Sequence, residues 1–186
     1  MQSKVKRFYK SQEDFRQFYL CLKQTACPHC RLSGYLNLHG YLRGYDEKAC
    51  SGKVIRGRRV FCCNRNKRSG CGRTFSVLAS NILRKFIIRA ESFWRFLKNI
   101  AGGKKKIHAL SSLKLSFSVS SAYRLWRRFC LTQTKIRLHL CRLSKPPRLA
   151  SSRQAALQTI LHLKLSFKHI ACPVAAFQDY FQVNFL

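Results

Sequence analysis

"RGRRVFCCNRNKRSGCGRTFS", residues 56–76, is the stretch on which the fold turns. It contains Cys62, Cys63 and Cys71, many Lys and Arg side chains, and no acid. Its counterpart upstream is Cys27-Pro28-His29-Cys30. Two thiolates three positions apart grip one tetrahedral ion, because the turn between them aims both sulfurs inward. Cys27 and Cys30 supply two ligands, and Cys71, followed by a glycine that permits a tight turn, supplies a third. The fourth is Cys62 or Cys63, and either choice leaves a small loop, "NRNKRSG", inserted in the second knuckle. This donor set predicts a structural Zn2+ site.

Adjacent residues of a strand point to opposite faces, so only one of the pair can meet the metal. If Phe61 faces the core, Cys63 shares its side; if the strand has already turned, Cys62 does. His29, His39 and Cys50 are the fallback ligands. Cys21, Cys130, Cys141 and Cys172 stand alone and read as small buried hydrophobes. A redox role for Cys27 and Cys30 lacks the βαβ pattern that accompanies it.

The chain has 186 residues, 37 Lys and Arg against six acids, and a formal net charge of +31. Such an imbalance calls for a polyanionic partner, of which nucleic acid is the first. The cations are spread along the chain rather than gathered on one amphipathic helix, which argues against a membrane surface. No apolar run approaches a membrane span and the N-terminus has no signal core, so a cytoplasmic, nucleoid-associated protein with reduced thiols is expected.

Outward from the knuckles, "SQEDFRQFYLCLK" predicts a helix capped by Ser11, with Asp14 three positions on. Residues 25–80 read as turns and short strands, and after Leu78 helical spacing takes over. "AESFWRFLKNI" puts Phe93, Trp94, Leu97 and Ile100 on one face. "SVSSAYRLWRRFC" puts Ala122, Leu125, Trp126, Phe129 and Cys130 on one face, with Ser120 or Ser121 as its cap. "SSRQAALQTILHLKLSF" and "CPVAAFQDYF" predict two further helices, with Pro173 in the first turn of the second. The expected architecture is a small α+β protein: an N-terminal helix (1–24), a zinc ribbon of short antiparallel strands (25–80), a helical region with a helix-turn-helix element (81–145) and C-terminal helices (146–186).

"CPHC", "HGYLRGYDE" and the stretch from residue 56 to 76 together resemble the N-terminal zinc-ribbon half of bacterial insertion-sequence transposases and their orphan relatives. The second knuckle of that family reads aromatic, Cys, small polar residue, Asn-Arg. Matched so, the resemblance makes Cys62 the ligand and places Cys63 at the small polar position. "FSVSSAYRLWRRF" and "CPVAAFQDYFQ" resemble the C-terminal part of the orphan proteins. The resemblance implies insertion-element recognition or regulation.

Within the predicted helix-turn-helix, Ser121, Arg124, Arg127 and Arg128 lie off the apolar face and are the candidate DNA contacts. Lys104, Lys105 and Lys106, with Arg65, Lys67, Arg68 and Arg73 of the knuckle insertion, are candidate phosphate contacts. Glu13, Asp14, Asp46, Glu47, Glu91 and Asp179 show no spacing that would hold a catalytic metal pair, so no enzymatic activity is expected. The expected function is zinc-dependent binding of duplex DNA without a catalytic domain, with a second copy or a separate transposase subunit as protein partner. The competing readings are a basic RNA-binding ribbon protein and a decayed mobile-element remnant.

Overall fold

A computed structural model describes residues 5–48, 52–147 and 155–186. Elements run in the order β1 (Phe8–Tyr9), α1 (Gln12–Leu20), β2 (Leu36–Tyr45), β3 (Lys53–Cys62), β4 (Thr74–Ala79), α2 (Ala90–Ala101), α3 (Lys106–Ser111), α4 (Val119–Leu140), α5 (Ala155–Ser166) and α6 (Pro173–Phe181). The protein is α+β. One sheet has the order β1-β4-β3-β2. It is mixed rather than wholly antiparallel, because β1 pairs parallel to β4 through Phe8↔Leu78 and Tyr9↔Ala79. The β2–β3 hairpin is longer than expected, each strand having 10 residues.

Two apolar clusters form. The first joins Tyr9, Phe15, Phe18 and Leu22 to Leu36, Val60, Phe75 and Val77, so α1 packs on the ribbon and shares its core. Ser11 caps α1, its Oγ accepting from the Asp14 N–H at 3.2 Å, and Asp14 Oδ2 accepts from the Lys10 N–H at 2.9 Å. The first bond satisfies a first-turn amide that the helix leaves without a partner, and the second ties the residue before the cap to the same turn. The second cluster is built by α2 to α6 around Phe93, Phe129, Phe177 and Phe185. The Phe129 and Phe185 rings stack 6.2 Å apart, and Phe177 meets Phe185 edge-on at 5.3 Å.

Helix α4 runs to Leu140, 22 residues in all and well past Cys130, where the apolar pattern of the sequence breaks. Gln133, Ile136 and Leu140 continue the buried stripe below Phe129. Ser118, not Ser120 or Ser121, occupies the N-cap position, and its hydroxyl lies 2.9 Å and 3.1 Å from theirs. The α3–α4 connection spans residues 112–118, longer than the three- or four-residue turn of a helix-turn-helix. Cys21, Cys130 and Cys141 are exposed, against expectation, and only Cys172 of the lone cysteines is buried. Cys172 precedes α6, its Sγ accepting from the Ala175 N–H at 3.5 Å, with Pro173 in the first turn. Cys50 and the start of the predicted helix over 151–167 lie outside the described residues.

Polar side chains fasten the two clusters together. Gln178, fully buried, donates from Nε2 to the Ser80 and Ile82 carbonyls at 2.7 and 2.9 Å and accepts from the Phe185 N–H at 3.1 Å. Gln182 Oε1 accepts from the Arg7 and Phe8 amides at 2.6 and 2.8 Å. Glu47, 5% exposed, accepts from the Arg89 N–H at 2.7 Å and the Ser92 hydroxyl at 2.8 Å. Its carboxylate thus sits at the N-terminus of α2, where the helix dipole favours negative charge. Asp46 pairs with Arg89, and Asp179 with Lys10 at 3.2 Å.

Candidate metal centre and basic surface

The sulfurs of Cys27, Cys30, Cys62 and Cys71 all lie within 4.8 Å of one another. Cys27 Sγ is 3.8 Å from Cys71 Sγ, and Cys30 Sγ is 3.7 Å from Cys62 Sγ. An ion bound tetrahedrally by thiolates at about 2.3 Å requires sulfurs about 3.8 Å apart. The donor set and its spacing therefore fit a tetrahedral metal and are compatible with zinc. Cys63 stands outside the group.

Strand alternation explains why Cys62 is chosen. Val60 and Cys62 are both fully buried and share the core face of β3, while Phe61 points away. Phe61 instead packs against His39, ring centres 5.4 Å apart, which removes this fallback ligand from the site. His29 is exposed, and it is its backbone N–H that serves the site, donating to Cys27 Sγ at 3.4 Å. The Cys71 N–H donates to Cys62 Sγ at 3.3 Å. Such amides offset the negative charge that four thiolates bring to a divalent ion.

The two knuckles repeat one backbone arrangement. In the first, the Arg31 N–H donates to the Cys27 carbonyl and the Cys27 N–H to the Leu32 carbonyl, both at 2.9 Å. In the second, the Gly72 N–H donates to the Cys62 carbonyl at 3.0 Å and the Cys62 N–H to the Arg73 carbonyl at 2.9 Å. Arg31 and Gly72 hold the same left-handed conformation, φ 66° and 70°. The insertion does not disturb this arrangement, because its exposed residues Arg65–Ser69 project outside the ring that these bonds close.

Gly70 ends the insertion where backbone passes backbone. A Cβ there would lie 2.1 Å from the Cys63 carbonyl oxygen and 3.0 Å from Cys62 Sγ. Gly70→Ala is expected to destabilise the ribbon by about 3 kcal/mol, since the nearest obstructing atoms are main chain and cannot rotate away. Metal titration and thermal unfolding of the variant check this; an unchanged midpoint would refute the close approach.

Hydrogen bonding from the Leu32 N–H holds the Cys30 thiol down at about 7, with the neighbouring thiols contributing. Burial pushes Cys62 up to about 12. Cysteines ligate as thiolates, so metal uptake by this cluster would release protons and weaken on acidification.

Among the candidate nucleic-acid contacts, Arg65, Lys67, Arg68 and Arg73 are exposed on the ribbon, and the Arg65 guanidinium lies 5.7 Å from the Phe61 ring centre. Arg124, Arg127 and Arg128 are exposed on α4. Ser121 is not: it is buried, and its Oγ accepts from Arg124 at 3.3 Å, which corrects its placement on the outer face. Lys104 and Lys105 are exposed in the α2–α3 turn, and Lys106 opens α3 with its ammonium 5.5 Å from the Tyr123 ring centre. The lysine cluster is thereby brought to the first turns of α4. Not among the candidates from sequence are Arg7, Arg59, Arg84 and Lys135, which line a cavity between the ribbon and the helices, and Lys85, which lines the neighbouring one. Their signal was faint because they are scattered through the chain and only the fold gathers them.

Among the described residues no helix is long and apolar enough to cross a membrane. No family model, curated protein or solved structure matches the chain.

Proposed function

We propose that the protein is a zinc-dependent DNA-binding protein, related to insertion-element transposases and acting in recognition rather than catalysis. The observation that carries this reading is the pairing of a four-thiol centre with the exposed cations Arg65, Lys67, Arg68 and Arg73 on the ribbon and Arg124, Arg127 and Arg128 on α4, which form no ion pair with an acid among the described residues. Zn2+ held by Cys27, Cys30, Cys62 and Cys71 would supply folding energy to a ribbon whose own core is small. The acids Asp14, Asp46, Glu47 and Asp179 are engaged as caps and fasteners, which favours binding over two-metal chemistry. Helices α3 and α4 are the helix-turn-helix pair of this reading, with an extended connection, and Arg124, Arg127 and Arg128 would face the groove. The likeness of the knuckles and of "SVSSAYRLWRRF" to transposase-related proteins supports the assignment to DNA.

The second reading, RNA binding, has one observation in its favour. Tyr41 and Tyr45 are exposed on β2, with the Arg58 guanidinium 3.9 Å from the Tyr41 ring centre and the Lys53 ammonium 5.9 Å from that of Tyr45. Such a basic aromatic face suits stacking of unpaired bases.

Zinc stoichiometry followed by binding of duplex DNA and structured RNA over a salt series separates the two. One zinc per chain and a duplex preference that survives added salt are expected. Arg124→Ala should then weaken duplex binding by about 1–3 kcal/mol if that side chain reads a base edge. Equal, salt-labile binding to both polymers, or an Arg124→Ala variant with unchanged affinity and salt slope, would overturn the recognition role of α4.

A further inference from the structure

Three neighbouring cavities share lining residues, and the first of them lies between the ribbon and the helical cluster. The one at the ribbon, about 560 Å³, is lined by Arg7, Arg59, Arg84 and Lys135 together with Thr74 and Ser76. It shares Arg84 and Asn184 with a second of about 420 Å³, which adds Lys85 and Arg128. That one shares Lys85 and Phe86 with a third of about 540 Å³, which reaches Arg124 on α4. Among the described residues, no acid lines any of the three.

The cations are crowded. Burial and the proximity of Arg84 pull Arg7 below its ordinary value, and burial and Arg128 do the same to Lys135. Like charges gathered in a concave, partly dry site repel one another and favour a polyanion there. The ion pairs among the described residues engage Lys6, Lys10 and Arg89, none of which lines the series. A lining that combines Arg, Lys, Thr and Ser suits phosphate oxygens.

We infer that these three neighbouring cavities are a phosphate track, which carries the sugar–phosphate backbone of the bound nucleic acid from His29 of the first knuckle to Arg124 of α4. The inference rests on the nucleic-acid reading and adds to it a set of residues outside the recognition helix and the knuckle insertion. The ribbon contributes to the track only at the first cavity; the other two are walled by the segment after β4, α4 and the C-terminal residues or the α3–α4 connection.

The test uses the full chain with its metal and a short fluorescein-labelled DNA, as duplex and as single strand, followed by anisotropy over a salt series. Arg59, Arg84 and Lys85 are exposed, so Arg59→Gln, Arg84→Gln and Lys85→Gln are combined and also made singly. Each phosphate deprived of its cation should lower the slope of log affinity against log salt by about 0.9 for duplex and about 0.7 for a single strand. A charge-matched control, Arg142→Gln/Lys164→Gln/Lys168→Gln, alters exposed residues that line none of the three cavities and should keep the wild-type slope. If wild-type protein binds but the cleft variants, single and combined, match the control, the track is refuted while nucleic-acid binding stands. If wild-type protein binds neither form, both readings fail together.

Discussion

Cys62→Ser is expected to release the metal and unfold the ribbon, whereas Cys63→Ser keeps both. Cys62 is fully buried and one of four sulfurs within ligating reach of each other; its neighbour lies outside that group. Structural zinc contributes on the order of 10 kcal/mol or more to folding a small module, far beyond what the ribbon's remaining interactions can replace. The chain's two tryptophans, Trp94 and Trp126, belong to the helical cluster, so their fluorescence reports on that cluster alone. Metal content, far-UV dichroism and tryptophan emission together check the result: zinc and strand signal lost, emission near native. A Cys62→Ser protein that retains stoichiometric zinc would show that the four-thiol assignment is wrong.

Gln178→Leu is expected to cost about 3–5 kcal/mol, because it strands the Ser80 and Ile82 carbonyls and the Phe185 amide without partners in a buried place. Leucine nearly conserves the volume, so the loss reports the hydrogen bonds rather than a cavity. Denaturant unfolding measures it. A loss below about 1 kcal/mol would mean that water or a local shift satisfies the three groups.

The candidate metal site was legible to the extent that chemistry is carried by spacing. Cys27 and Cys30 declare themselves, and Cys71 with its following glycine completes the pattern. The choice between Cys62 and Cys63 did not follow from spacing. It follows from Val60, whose burial two residues before Cys62 sets the face of β3. The extension of α4 was hidden because Gln133 occupies a buried position with a polar side chain and leaves a break in the apolar stripe. Cys130 read as part of that stripe but faces solvent, since a short run of helical spacing fixes the stripe's centre better than its edge. The bonds of Gln178 and Gln182 to the ribbon side of the fold join residues remote in sequence, and no local pattern announces such pairs. The cleft is the same case in electrostatic form: its cations come from β3, α4 and the segments flanking β1 and following β4, and only tertiary structure collects them.

The doubled knuckle has a consequence for how this surface can vary. The bonds between Cys62 and Gly72–Arg73 close beneath the insertion, so Arg65–Ser69 hang from an already completed ring. Lengthening a flexible loop is cheap, about 0.6 kcal/mol per doubling. The second knuckle is therefore a graft point, at which the length and charge of the inserted segment can be exchanged while the four sulfurs, their amide donors and Gly70 remain the fixed mount.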